Sequence, residues 1–275
     1  MKHSLPKGVT HITANTPGPT IAILAGVHGD EPAGPLALPE IIEHINLIKG
    51  DIYFIIGNPA ALEKNERFIE TNLNRNFKKN NQGTSLEEKR AQELMPIMDR
   101  CDALIDLHGF RDKTGSPFSI CDEASVEIAR KLLPQIISTG WDSSEAGGSD
   151  SYLHEQGKPA ITVECGPIGQ AHQSGKLVAL ICVHQFLKHY KMIDTPIPFA
   201  TDEKMVVEVQ YAVTRTSEAF ALREGMQNFQ ELAEGEVFGQ QDGKPFAAKA
   251  GDVIIFPRPQ QLIGHEAFSI GRKIE

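Results

Sequence analysis

The chain has 275 residues, enough to bury a sizeable core and to hold one large α/β unit with an appendage. Its 27 Lys and Arg stand against 36 Asp and Glu, a formal charge of −9 with no basic cluster to offset it, which excludes nucleic acid as a natural partner. Cys101, Cys121, Cys165 and Cys182 are widely spaced and form no CxxC pair, so reduced thiols are expected; with no signal-peptide core and no apolar run of about 18 to 20 residues, so is a soluble, cytoplasmic protein that does not engage membranes.

Short apolar runs that end in Gly, Asn or His, each followed by helical periodicity, give the alternation of an α/β protein with a largely buried sheet. Strands are expected at 20–25, 51–57, 103–108, 118–121 and 160–164. Between them, 32–45 reads as a helix made irregular by Pro35 and Pro39, and 85–100 as a firmer one, because Ser85 and Glu88 have capping-box spacing. Helices at 124–133 and 176–190 follow, the second with Leu180, Val183, Leu187 and Tyr190 along one face. After Tyr190 the segment KMIDTPIPFATDEK reads as a linker, and beyond it MVVEVQYAVT alternates apolar and polar residues. Gly-centred turns separate further short β-rich runs, so the expected division is an α/β unit at 1–193 and a small C-terminal β domain at 194–275.

Three strand ends carry acid and imidazole groups. GVHGDE at 26–31 places His28 and Glu31 three apart in the turn at the carboxyl end of a strand, where open α/β sheets bind ligands. Such a turn can bring both donors to about 2.0 to 2.2 Å from one metal ion, although an HxxE pair alone is common by chance. DLHG at 106–109 ends another strand, with Asp106 and His108 on one face, so the carboxylate can orient the imidazole. His108 completes a His2Glu set with a fourth zinc position open to water. In ITVECGP at 161–167, Glu164 closes a β-branched run and needs a task to offset its desolvation; beside a metal-activated water it can serve as general base and then general acid. Cys165 turns to the opposite face and reads as core packing.

GNPAALEKNERFIETNLNRNF at 57–77 supplies Arg67, Asn74 and Arg75, a planar amide and two guanidinium forks suited to binding a carboxylate and polarising a carbonyl. Trp141 and the Gly-rich SSEAGGSDS after it read equally well as a cleft wall or an exposed loop. His172, His184 and His189 read as ordinary helix residues, and Lys158 as a solvated turn residue.

In the order GVHGDE, GNPAAL, Arg67, NLNRNF, DLHG and VECGP, together with the tail IIFPRPQQLIG at 254–264, the chain resembles the succinylglutamate desuccinylase/aspartoacylase family of zinc carboxypeptidase-like hydrolases. The resemblance implies a mixed central sheet with flanking helices. It implies one zinc ion per chain on His28, Glu31 and His108, with Glu164 as catalytic carboxylate, Arg67 on the scissile carbonyl, and Asn74 with Arg75 as carboxylate clamp. The implied substrate is a small anionic N-acyl amino acid; homo-oligomerisation is left open. The chain departs from the family in three places. Asn72 replaces the usual Asp of D-L-N-R; His154 stands ten residues before Glu164, where aspartoacylases carry a substrate-binding Arg; and no Tyr follows Gly251. N-acetylaspartate is therefore not the expected substrate, and His154 becomes a substrate-binding candidate. Two rival expectations are a carboxypeptidase-like enzyme with the same zinc site and a non-catalytic relative that binds a small acid.

Overall fold

The computed structural model describes residues 4–111, 115–141, 146–168, 172–201 and 203–274. The chain runs through β1 (Val9–Thr13), β2 (Thr20–Ala25), α1 (Ala33–His44), β3 (Asp51–Ile56), α2 (Pro59–Lys64), a 3-10 turn (Leu73–Arg75), α3 (Leu86–Met98), β4 (Ala103–Phe110) and β5 (Phe118–Cys121). Next come α4 (Val126–Ala129), β6 (Ile136–Thr139), α5 (Ser149–His154), β7 (Ala160–Pro167) and α6 (His172–His189). The rest is β: β8 (Met205–Thr214), β9 (Phe220–Leu222), β10 (Gln230–Glu231), β11 (Val237–Gln241), β12 (Lys244–Ala247), β13 (Asp252–Ile255) and β14 (Glu266–Lys273).

Each strand expected from an apolar run is present, and so is the capping box, with Ser85 Oγ accepting from the Glu88 N–H at 3.1 Å and Glu88 Oε2 from the Ser85 N–H at 2.9 Å. The helix expected at 124–133 shrinks to a 3-10 turn at Glu123–Ser125 and the four residues of α4. β1, β6, α2 and α5 are short elements that left no periodic signal.

The sheet is mixed and has the order β1-β3-β2-β4-β7-β5-β6-β8-β14-β13-β10, with a separate three-stranded sheet β12-β11-β9. Its centre, β3-β2-β4-β7, is parallel, whereas β5 runs antiparallel to β7. Ile21, Ile23 and Ala25 of β2 face α1 and α6, meeting Ile41, Val183 and Phe186; Ala22 and Leu24 face Leu94 and Met98 of α3. Burial on both faces is why these strands are uniformly apolar rather than alternating.

β8 pairs in parallel with β6, so the sheet passes without a break into the C-terminal part. The composition change near residue 193 marks where helices cease, not where the sheet ends. An aromatic cluster ties the two parts: Phe118 lies 4.8 Å from Phe229 and 5.7 Å from Phe256, and Trp141 5.9 Å from Phe256. No helix among the described residues is long and apolar enough to cross a membrane, and all four cysteines are buried and unlinked.

Candidate metal centre and catalytic cavity

β2, β4 and β7 are neighbours whose carboxyl ends open into a cavity of about 790 Å³. Gly26, at a φ of 64°, turns the chain out of β2 and begins the loop that carries His28 and Glu31. Gly29 packs so closely under α2 that a Cβ there would lie 2.1 Å from the Ala61 carbonyl carbon, which explains the glycine between the two polar residues. β4 supplies His108, and the register of β4 and β7 sets Glu164 directly beside it.

Glu31 is the hub. Its Oε1 lies 2.8 Å from His28 Nδ1 and accepts from Arg67 Nη1 at 2.9 Å; its Oε2 lies 2.9 Å from His108 Nδ1 and accepts from the Gly109 N–H at 3.0 Å. The outer nitrogens of the imidazoles are engaged elsewhere. His28 Nε2 donates to Asn72 Oδ1 and His108 Nε2 to Asp106 Oδ2, each at 3.0 Å. Asn72 Oδ1 also accepts from the Asn74 N–H at 2.9 Å, which fixes that atom as the oxygen. Asp106 accepts in turn from Ser149 Oγ.

With the Nε2 positions holding hydrogens, each neutral imidazole turns a lone pair toward the Glu31 carboxylate, so these buried atoms need a positive charge among them. Protons on the rings or a metal ion can supply it. His28, Glu31 and His108 each offer one ligand atom, all within 4.8 Å of one another, and this donor set fits a divalent cation. Without a metal the same need appears as ionisation. Burial works to raise the Glu31 pKa, but His28 and His108 outweigh it and hold the carboxyl well below its usual range. Burial likewise works to lower His108, and Asp106 with Glu31 carries it well above its usual value.

Arg67, Asn74, Arg75 and Glu164 all line the cavity with His28, Glu31 and His108 of the floor. Asn74 Oδ1 accepts from the Ser149 N–H at 3.1 Å, so its Nδ2 is the edge it can offer a carboxylate. His154 does not join them. Its Nε2 faces the Ala160 carbonyl at 3.0 Å and stands 3.6 Å from Asp122, away from the cavity wall, so counting ten residues back from Glu164 led to a position that faces the interior of the fold. The side chain at the wall is instead Asp150, one helical turn earlier on α5.

The open reading of the Trp141 segment resolves toward a cleft wall: Trp141, Gly148, Asp150 and Ser151 line the cavity, while 142–145 lie outside the described residues. Cys165 is buried in the core, where burial raises its thiol pKa well above the ordinary value. Lys158 donates to the Asp99 carbonyl at 2.8 Å and His184 Nδ1 lies 2.7 Å from the Leu180 carbonyl; the His172 side chain lies outside the described residues.

Sequence reasoning missed four contributors. Glu87 is buried, and its carboxylate accepts from the backbone N–H groups of Ile69, Glu70 and Thr71 at 2.7, 3.2 and 3.0 Å, bracing the segment that carries Arg67 and Asn72. It is one of two Glu residues in the first turn of α3, where a carboxylate is favourable without any tertiary partner, so nothing in the sequence marks it out. Asp150 lies in the Gly-rich stretch that reads equally well as a cleft wall or an exposed loop, with nothing to single it out there. Arg258 and His265, which close the cavity from the loop between β13 and β14, could be placed only by the tertiary fold.

The family model for the succinylglutamate desuccinylase/aspartoacylase catalytic domain matches residues 17–190. A succinylglutamate desuccinylase of Pseudomonas syringae pv. tomato is 28% identical over 91% of this chain and 82% of its own length. One from Vibrio cholerae is 26% identical over 90% and 78%. Among solved structures, a succinylglutamate desuccinylase of Vibrio parahaemolyticus has a TM-score of 0.79 at 22% identity, covering 98% of this chain and 87% of that one. The product-bound ectoine utilization protein of Ruegeria pomeroyi has a TM-score of 0.77 at 21% identity, covering 96% and 88%.

Proposed function

Because the chain belongs to the succinylglutamate desuccinylase/aspartoacylase family, we propose that it is a zinc-dependent hydrolase that removes the acyl group from an N-acyl amino acid. The observation that carries this reading is the meeting, in one cavity, of the His28, Glu31 and His108 cluster with Glu164 beside it and Arg67, Asn74 and Arg75 around it.

His28, Glu31 and His108 hold one zinc ion, with Asn72 and Asp106 keeping the imidazole Nδ1 atoms turned inward. Zinc, when bound there, supplies a Lewis acid that acidifies water and polarises the acyl carbonyl. Glu164 takes a proton from the attacking water and returns it to the nitrogen of the departing amino acid, a role that contributes about 10²- to 10⁴-fold to rate. Arg67 spends one N–H on Glu31 and turns others toward the carbonyl oxygen as charge develops there. Asn74 and Arg75 grip the substrate carboxylate and align the amide. Four buried, unlinked thiols support a reducing compartment such as the cytoplasm.

The test is a hydrolysis screen of N-succinyl, N-acetyl and N-formyl amino acids with zinc-loaded protein, reading released amine. Release that is lost on chelation and restored by zinc is expected. Cleavage of short peptides alone would replace this reading with a carboxypeptidase-like one.

A further inference from the structure

The cavity wall contains an acidic side chain that the proposed reaction does not use. Asp150 lies in the first turn of α5 and lines the cavity. Its Oδ2 accepts from Thr162 Oγ1 at 2.9 Å and its Oδ1 from the Ser151 N–H at 2.8 Å. These two bonds fix the carboxylate. Among the described residues no lysine or arginine pairs with it, and the charged groups that act on it are His154 and Asp106, the second of like sign. Burial raises its pKa above the ordinary value, so ionised it is under-compensated.

Its position relative to the reacting groups is set by the sheet. Thr162 and Glu164 are two apart on β7 and share a face, so the Asp150 carboxylate is tied one strand repeat, about 7 Å, from the residue that protonates the leaving amine. The other side of Asp150 borders the clamp: Ser149 N–H donates to Asn74 Oδ1, and a Cβ on Gly147 would lie 2.5 Å from the Arg75 carbonyl oxygen. A substrate whose carboxylate sits on Asn74 and Arg75, with its amide nitrogen at Glu164, directs the side chain of its amino-acid half along this wall. A second carboxylate there would meet Asp150 and pay like-charge repulsion in a partly dehydrated site.

We infer that Asp150 is a specificity-determining residue that selects an amino-acid half with a cationic, amine-bearing side chain over one with a side-chain carboxylate. This rests on the deacylase reading and narrows its substrate class. Arg67, Arg75 and Arg258 still receive the anionic parts of the substrate, so the cavity is bipolar.

The test compares Nα-acetyl and Nα-succinyl derivatives of ornithine, glutamine and glutamate, which have side chains of similar reach. The zinc-loaded wild type should show kcat/KM at least 10-fold higher for ornithine than for glutamate. D150N, which keeps an oxygen for Thr162, should lose at least 10-fold on ornithine and gain on glutamate, with its melting temperature showing that the fold persists. Binding of free ornithine and free glutamate to zinc-loaded E164Q, measured by calorimetry, tests the same selectivity without turnover. Preference for glutamate in either assay, or an equal loss on all substrates in D150N, overturns the inference. Ornithine binding preferentially while no N-acyl compound is hydrolysed by the wild type would instead sink the deacylase reading and leave the selectivity standing.

Discussion

On the floor of the cavity His28, Glu31, Asp106 and His108 are at most 3% exposed, whereas Arg258 and His265 of the roof are exposed side chains on the loop between β13 and β14. The floor residues sit at the ends of strands whose register is fixed on both sides, and each has a charge-assisted hydrogen bond. The roof is anchored from behind, through Phe256 and Phe229 against Phe118, and leaves its polar groups in reach of water. This difference matches two tasks. Stabilising charge as it develops requires dipoles already in place in a dry site, while attracting a charged ligand works at longer range and tolerates solvent. Floor substitutions should therefore change turnover and metal affinity, and roof substitutions should change KM.

The largest effect is expected at Glu164. E164Q keeps the shape and removes the proton carrier, so kcat should fall about 10³-fold while metal content, read by elemental analysis, stays at one ion per chain. Retention of full activity would remove Glu164 from the mechanism. N72A comes next. It deprives His28 Nε2 and the Asn74 N–H of their shared acceptor, and loss of such a partner weakens metal binding about 10- to 100-fold, measurable by chelator competition.

How far these parts could be read from the sequence follows the same division. The parallel core was legible because strands buried on both faces leave apolar runs, and His28, Glu31, His108 and Glu164 were legible because each terminates or directly follows such a run. Asp106 could be assigned to His108 because alternation over two residues is a local rule, and the structure has the two 3.0 Å apart. Asp150 and Glu87 were not legible. Their partners lie 12 and 16 to 18 residues away along the chain, and the residues themselves sit in segments with ordinary composition. His154 shows the limit of counting: it lies on the same side of α5 as Asp150 but one turn, about 6 Å, further along the axis, where its ring meets the Ala160 carbonyl beyond the edge of the cavity. The continuity of the sheet through β6 and β8 was equally hidden, because pairing across a linker leaves no mark in composition.

Glu87 sharpens the comparison from beneath the floor. Burial works to raise its pKa, but the N–H groups of Ile69 and Thr71, then Asn58 and Glu70, lower it below the ordinary 4.5. A depressed folded-state pKa means that the ionised group stabilises the fold above the unfolded value and that this is lost as pH falls through the folded one. E87Q turns an amide NH2 toward backbone donors and should cost about 1–3 kcal/mol at neutral pH. In chemical denaturation the gap between wild type and E87Q should narrow as pH drops below 4.5. A gap independent of pH would mean that Glu87 acts by packing and not by charge.

The smallest effect belongs to the roof. The Arg258 guanidinium stands 5.5 Å from the centre of the Phe256 ring and lines the cavity as an exposed group. An exposed guanidinium–carboxylate contact contributes about 0.2–1 kcal/mol, so R258A should raise KM for an anionic substrate by about 1.5- to 5-fold and leave kcat unchanged. Because the Debye length shrinks from about 10 Å at 0.1 M salt to about 3 Å at 1 M, the difference between wild type and R258A should fade over that range. The salt series separates attraction from chemistry, since a group that stabilises charge in the buried floor is screened far less. If R258A instead lowered kcat at every salt concentration with KM untouched, Arg258 would belong with Arg67 and Glu164, and the roof would be part of the reacting machinery.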